Sequence, residues 1–196
     1  FSQFEFQTLA SEHIVQIGDG TSNKSNNWTF FQGDVYNEST PTDDTYDGFK
    51  LTGCNKFVFE GVTIKNSGSW CVYFMGCNNV KINKVSVYNK ENNNNDSINC
   101  DDCSNVSVTD CNLQVEDDAI CLKSSIGKVC ENIKIENCTI SSYHAAIKFG
   151  TASMTGFRNV EVKNCQFFDC RYGVIKLLVV DGGFIDNVMI SDVKMY

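Results

Sequence analysis

The feature that most constrains this chain is that it repeats itself. A phrase of two short apolar-alternating runs recurs as Phe57-Val-Phe-Glu-Gly-Val-Thr-Ile64, Val80-Lys-Ile-Asn-Lys-Val-Ser-Val87, Val106-Ser-Val-Thr-Asp-Cys-Asn-Leu113, Ile133-Lys-Ile-Glu-Asn-Cys-Thr-Ile140, Val160-Glu-Val-Lys-Asn-Cys-Gln-Phe167 and Val188-Met-Ile-Ser-Asp-Val-Lys-Met195. The leading positions 57, 80, 106, 133, 160 and 188 step by 23, 26, 27, 27 and 28. Trp28-Thr-Phe-Phe-Gln-Gly reads as an earlier copy when Gln32-Gly33 is set against Glu60-Gly61. Before each phrase lies a third apolar run: Phe49-Lys-Leu51, Val72-Tyr-Phe74, Ile98-Asn-Cys100, Ile120-Cys-Leu122, Ile147-Lys-Phe149 and Ile175-Lys-Leu177.

Each unit thus holds three short strands of period two, joined by Asn, Gly, Asp and Ser, with no stretch of helical length between them. Three such strands cannot bury their inward side chains alone. Stacked coils can, because each strand then pairs in parallel with its counterpart about 4.8 Å along the stack. The expected fold is all-β, a right-handed parallel β-helix of about seven coils of 23–28 residues, forming one domain over 1–196. Residues 1–25 fit no coil. The pattern stops at Tyr196 without the atypical polar repeat that caps a solenoid, so the expectation is a piece of a longer chain.

Cysteines and asparagines fit the stack. Cys54, Cys77, Cys103 and Cys130 close the first strand of successive coils, and Cys111, Cys138 and Cys165 recur in the third at steps of 27. Buried free thiols in ladders are favoured, with room for one or two bridges between ladder neighbours. Eleven is odd, so at least one thiol is unpaired unless it bonds another chain. A zinc site is not expected, since there is no pair of C-x-x-C knuckles and only two histidines, His13 and His144. Asn55, Asn79, Asn105, Asn132, Asn159 and Asn187 stand near the second strand of each coil, where their amides can stack and left-handed backbone is tolerated.

Charge narrows the partners. Sixteen Lys and Arg against 24 Asp and Glu give a formal net charge of −8, which opposes a nucleic-acid backbone. No apolar run nears the ~20 residues of a membrane span, and Phe1-Ser-Gln-Phe-Glu-Phe lacks the basic start and apolar stretch of a signal peptide. The chain reads as a soluble monomer without nucleic-acid or membrane partner. Asparagine is abundant, 22 in all, with acceptor sequons at Asn23, Asn27, Asn37, Asn95, Asn105 and Asn137. They suit a secreted glycoprotein, although an Asn- and Ser-rich chain also generates sequons by chance.

Two adjacent coils depart from the regular background at one place. One first strand is entered by Asn94-Asn95-Asp96-Ser97-Ile98 and the next by Glu116-Asp117-Asp118-Ala119-Ile120. Aligning Ile98 with Ile120 puts Asp96 and Asp118 at the same rung position, with Asp117 one residue outward. Like charges stacked about 5 Å apart destabilise a fold, and a scaffold needing only turns has Asn available. Three clustered carboxylates can keep one group protonated and the others ionised, the division that glycosidic hydrolysis needs. A calcium site or a solvated acidic turn is the other reading, with Asp101 and Asp102 adding carboxylate nearby.

The stretch from Asn95 to Ser124 resembles the N-T-D-G-I-D-I…C-x-N-V…(G/Q)-D-D-C-I-A-I-K-S core of the polygalacturonases, glycoside hydrolase family 28. The resemblance extends from about Trp28 to Met195. Ile64-Lys-Asn-Ser-Gly-Ser-Trp-Cys-Val72 is similar to the family's N-S-P-x-W coil, and the stretch from Gly173 to Val188 to its R-I-K…G-x-x-x-N-I segment. The resemblance implies a right-handed parallel β-helix and inverting hydrolysis of α-linked galacturonan or related pectic chains outside the cell, at the plant cell wall, without cofactor or metal. It assigns Asp117 as general acid and Asp96 and Asp118 as the pair that holds and activates water. Inversion needs acid and base about 6.5 to 9.5 Å apart.

This chain departs from the family pattern in four places. Ser97 and Asn95 replace the Gly and Thr beside the first Asp. The G-H-G segment corresponds loosely to Ser142-Tyr-His-Ala-Ala-Ile-Lys-Phe-Gly150; with Ile147 against Ile120, His144 falls opposite Asp117 and Ala145 opposite Asp118. The R-I-K segment is Val174-Ile175-Lys176, which keeps the lysine and lacks the arginine. Lys123, Lys148 and Lys176 then suggest a basic strip, and Arg171 a replacement guanidinium for a substrate carboxylate. The expected substrate-binding residues are His144, Lys148, Lys176, Arg171 and Tyr143. Trp70, Tyr73, Tyr143 and Tyr172 flank the first strands where sugar rings can dock, whereas Phe57, Phe59, Phe149 and Phe167 alternate with polar residues as core. The competing functions are a β-eliminating lyase or epimerase on the same fold, and a non-catalytic carbohydrate-binding surface solenoid.

Overall fold

The computed structural model describes residues 49–65, 67, 69–90 and 93–196, together with the backbone of three strands nearer the N-terminus. Strands follow one another in triplets. The first triplet is β1 (Phe4–Gln7), β2 (His13–Ile14) and β3 (Trp28–Phe30); the second is β4 (Phe49–Thr52), β5 (Asn55–Glu60) and β6 (Val62–Lys65). Then come β7 (Val72–Met75), β8 (Asn78–Asn83) and β9 (Ser86–Asn89), and β10 (Ile98–Asp101), β11 (Ser104–Thr109) and β12 (Asn112–Val115). The last three triplets are β13 (Ile120–Ser124), β14 (Cys130–Glu136) and β15 (Thr139–Ser142); β16 (Ile147–Ser153), β17 (Phe157–Lys163) and β18 (Gln166–Phe168); β19 (Ile175–Leu177), β20 (Ile185–Ser191) and β21 (Lys194–Met195).

Every third strand pairs in parallel with its counterpart one coil away, giving three seven-stranded sheets and the parallel β-helix that the repeat requires. The described residues contain no helix. Period-two alternation decides which side chains turn inward. In the first sheet the inward rows are Phe49, Val72, Ile98, Ile120, Ile147 and Ile175, and Leu51, Phe74, Cys100, Leu122, Phe149 and Leu177. Phe57 and Phe59 of the second sheet and Phe167 of the third meet these rows in one apolar core, from which Leu177 of the last coil is left exposed. Phe49 and Phe59 pack edge to face at 5.4 Å, and Phe149 and Phe157 do so at 5.3 Å.

Two polar ladders run outside this core. Asn79, Asn105, Asn132, Asn159 and Asn187 all have φ between 51° and 56°, the left-handed region that asparagine tolerates. Asn132 donates to Asn105 at 3.0 Å, Asn159 to Asn132 at 2.9 Å and Asn187 to Asn159 at 2.8 Å. At its N-terminal end the ladder shifts by one residue: Asn105 donates to Asn78 at 2.8 Å and Asn79 to Asn55 at 2.9 Å, so Asn55 closes the ladder although the left-handed position of its coil is Lys56. A second stack, Asp110, Asn137 and Asn164, lines the next corner at 3.1 and 2.7 Å.

None of the eleven cysteines is in a disulfide, and ten are buried. The bridges allowed for above do not form. Ladder thiols donate instead to carbonyls of the preceding coil, Cys77 to Leu51 and Cys103 to Phe74, each at 3.4 Å. Trp28 is also placed differently from the alignment on Gln32-Gly33. It pairs with Val62 in the third sheet, not with a strand of the second. The remainder of residues 1–25, with His13's side chain, and the sequons at Asn23, Asn27 and Asn37 lie outside the described residues.

Candidate active site

On the outer face of the first sheet, one row reads Lys50, Tyr73, Asn99, Cys121, Lys148 and Lys176. The next outward row carries Thr52, Met75, Asp101 and Lys123. The carboxylates stand at the edge of this face, in the turns that enter β10 and β13. Backbone pairing fixes their alignment: Ser97 N–H donates to Asp118 O at 3.0 Å, and Ala119 N–H to Ala145 O at 2.8 Å. Asp96 and Asp118 therefore share one rung position and Asp117 shares the next with His144, the register expected from Ile98, Ile120 and Ile147.

Asn95 holds the two acidic turns together. It is fully buried, its Nδ2 donates to Asn89 O at 2.7 Å, and its Oδ1 accepts the N–H groups of Glu116 and Asp117 at 3.2 Å each. In the sequence this residue registered as a motif departure and a sequon. Its burial excludes a glycan there and makes it a clamp between coils.

The three carboxylates have different surroundings. Asp96 and Asp118 are buried, whereas the Asp117 side chain is 19% exposed. Asp117 Oδ1 accepts the N–H of Asp118 at 2.8 Å, and His144 Nδ1 lies 3.6 Å from it. Lys123 Nζ stands 3.5 Å from Asp96 Oδ2, hydrogen-bonds Asn99 Oδ1 at 2.5 Å and lies 3.4 Å from the centre of the Trp70 ring. Lys148 Nζ donates to Asp118 Oδ2 at 2.5 Å, while Asp118 Oδ1 is buried with no protein hydrogen-bond partner.

Burial is the main reason that the Asp96 carboxyl is pushed up to about 6. Asp117 and Asp118 add to the rise, against the pull of Lys123 and Asn99. Burial disfavours the Lys148 ammonium, yet its hydrogen bond to Asp118 and the surrounding negative charge hold it above the usual lysine range. The site can thus keep a proton on one carboxyl while a neighbour is held as the partner of an ammonium, which is acid–base chemistry.

Asp96, Asp118 and Cys121, and separately Asp117, Asp118 and His144, each bring three donor atoms within 4.8 Å of one another. Lysine ammoniums already stand against Asp96 and Asp118, and no metal is assigned.

The residues expected to bind substrate divide into two groups. Tyr143, His144 and Tyr172 form one cluster with ring centres 5.2 to 5.7 Å apart. Arg171 caps Tyr143 at 4.9 Å and Lys176 approaches Tyr172 at 5.8 Å. Beside them a pocket of about 280 Å³ is lined by Lys90, Val115, Glu116, Tyr143, Asp169 and Arg171. Lys148 is instead engaged by Asp118, and Lys123 lies two residues off the row of Lys148 and Lys176, so the three lysines do not form one strip. Asp101 accepts Tyr73 Oη at 2.8 Å and Ser125 N–H at 3.0 Å, which makes it a brace for its corner.

The molecule is therefore a parallel β-helix with an acid–base cluster on the outer edge of its first sheet. Its sequence matches the family model of glycosyl hydrolases family 28 over residues 8–196, and the chain belongs to that family. The fold is shared with a hyperthermoactive exopolygalacturonase from Thermotoga maritima at 20% identity and a TM-score of 0.61, over 76% of this chain and 44% of that one. It is shared also with a family 28 exopolygalacturonase from Yersinia enterocolitica at 14% identity and a TM-score of 0.54, over 75% of this chain and 34% of that one. The chain thus spans less than half the length of either structure. No curated protein sequence matches it.

Proposed function

We propose that the cluster of Asp96, Asp117 and Asp118 hydrolyses the α-linked galacturonan backbone of pectin, or a related pectic chain, with inversion. Asp117 donates a proton to the leaving oxygen. Asp118, and Asp96 once it ionises above about pH 6, hold and activate the attacking water. The single observation that carries the reading is the contrast among three carboxylates on adjacent rungs: two buried and paired with lysines, one partly exposed and reached by His144. Family membership supports this substrate class, and both structural neighbours are exopolygalacturonases. Tyr143 and Tyr172 offer ring faces to a sugar, with Arg171, His144 and Lys176 beside them for a uronate carboxylate or hydroxyl.

The test is reducing-end release from polygalacturonate and from neutral pectic polysaccharides, followed with the anomeric form of the first product. Asp117→Asn removes the acid without changing side-chain shape and should lower turnover about 10³-fold or more. Unchanged turnover would remove the role given to Asp117. An ultraviolet-absorbing unsaturated product would replace hydrolysis with β-elimination.

A further inference from the structure

Asp118 is held asymmetrically. Its Oδ2 is bound by Lys148 Nζ at 2.5 Å, its Oδ1 has no protein partner, and the side chain is 2% exposed. An unpartnered buried carboxylate oxygen is costly unless something in the working site meets it. Lys148 reaches Asp118 from the neighbouring coil, because β13 and β16 pair Cys121 with Lys148 and so set the lysine on the outer face one rung away. Its side chain is 21% exposed. The family resemblance gives no role to a lysine here, and from its position in the sequence Lys148 was expected to contact substrate.

We propose that Lys148 is a positioning residue for the hydrolysis: it fixes one oxygen of Asp118 so that the other is presented to the attacking water. The inference rests on the role given to Asp118 in the proposed function. The oxygen opposite the ammonium is oriented without any substrate contact, so the base is set before a glycan arrives. Lys148 also supplies the counter-charge. The charged and titratable groups facing Asp118 are Asp96 from the turn before β10, Asp117 from its own turn, Cys121 and Lys123 from β13, His144 from the turn before β16, and Lys148 itself. Among the lysines, Lys123 is committed to Asp96 and Asn99. Removing Lys148 would leave a buried carboxylate among like charges without its counter-ion, and such a group takes up a proton more readily.

The experiment compares wild type, Lys148→Met and Lys148→Arg, each checked for folding by its urea transition. For kcat and kcat/KM against pH on the substrate that wild type cleaves, Lys148→Met should move the acidic limb upward by about one pH unit or more. Below the limb kcat should fall at least about tenfold, with KM within about twofold. Lys148→Arg should restore the limb. An unmoved limb, or a rise in KM at constant kcat, would overturn the proposal, the latter making Lys148 a substrate contact. Infrared titration of the carboxylate band, with Asp118→Asn to identify its contribution, reads the pairing without turnover. The Asp118 band should be lost at higher pH in Lys148→Met, and an unchanged titration refutes the pairing. If wild type hydrolyses no pectic chain, the hydrolase reading fails and this titration still decides the pairing.

Discussion

Asp96 carries a cost that can be measured in the whole protein. Its carboxyl titrates at about 6 in the fold against an ordinary 3.8, chiefly because burial penalises the anion. A folded value above the unfolded one means that Asp96 is neutral in both states below about pH 3.8. The penalty grows as pH rises and is complete above 6. At about 1.4 kcal/mol per tenfold change in acidity, the anion costs the native state about 3 kcal/mol at neutral pH. Asp96→Asn keeps the shape, presents an amide oxygen to Lys123 and removes the titration. Urea unfolding of both proteins from pH 3.5 to 8 should therefore give similar stabilities at the acid end. The variant should be more stable by about 3 kcal/mol above pH 7, or roughly 6 to 12 °C in Tm for a chain of this size. The same substitution should abolish hydrolysis. A stability difference independent of pH, or a variant less stable than wild type at pH 8, would refute the account of Asp96 as a strained buried acid.

Two further outcomes follow from the ladders. Asn132→Ala loses the bonds to Asn105 and Asn159 and must hold φ of 56° with a residue that disfavours it, so unfolding free energy should drop by about 1 to 2 kcal/mol. Asn132→Gly should recover part of that loss, and a glycine variant as unstable as the alanine one would count against the backbone argument. A thiol reagent should leave the ten buried cysteines unmodified in the native protein and modify all eleven after unfolding without reductant. Fewer than eleven would reveal a bridge.

Much of the scaffold was legible because its information is local. Six first-sheet strands begin where the runs from Phe49 to Ile175 begin, since period-two alternation with punctuating Asn, Gly and Asp is a property of neighbouring residues. The same phasing placed Asp96 on Asp118 and His144 on Asp117. What was not legible depends on contacts between coils. Asn95 as clamp, Lys148 on Asp118 and Lys123 beneath Trp70 each join residues more than 20 positions apart, through side-chain reach that spacing does not encode. The offset of Lys123, by contrast, is written in the spacing: it stands three residues past Ile120, whereas Lys148 and Lys176 stand one past Ile147 and Ile175, and the irregularity opposite Lys123 begins only after Phe149. The buried ladder thiols favoured by the spacing are what the structure holds, and only the one or two bridges it left room for do not form, because ladder thiols have carbonyl partners in the preceding coil.

From Phe49 onward, the corner between the second and third sheets is turned by one or two residues in every coil, whereas both corners bordering the first sheet change length, as at 125–129 and 178–184 on one side and 116–119 and 169–174 on the other. Extra residues at the tight corner would throw the stack of Asp110, Asn137 and Asn164 out of phase, whereas the corner between the first and second sheets lengthens to 125–129 and 178–184 without moving a carboxylate of the cluster. The margin that can be lengthened without disturbing the acids is therefore the one between the first and second sheets, because the opposite margin is itself the turn that carries Asp96, Asp117 and Asp118.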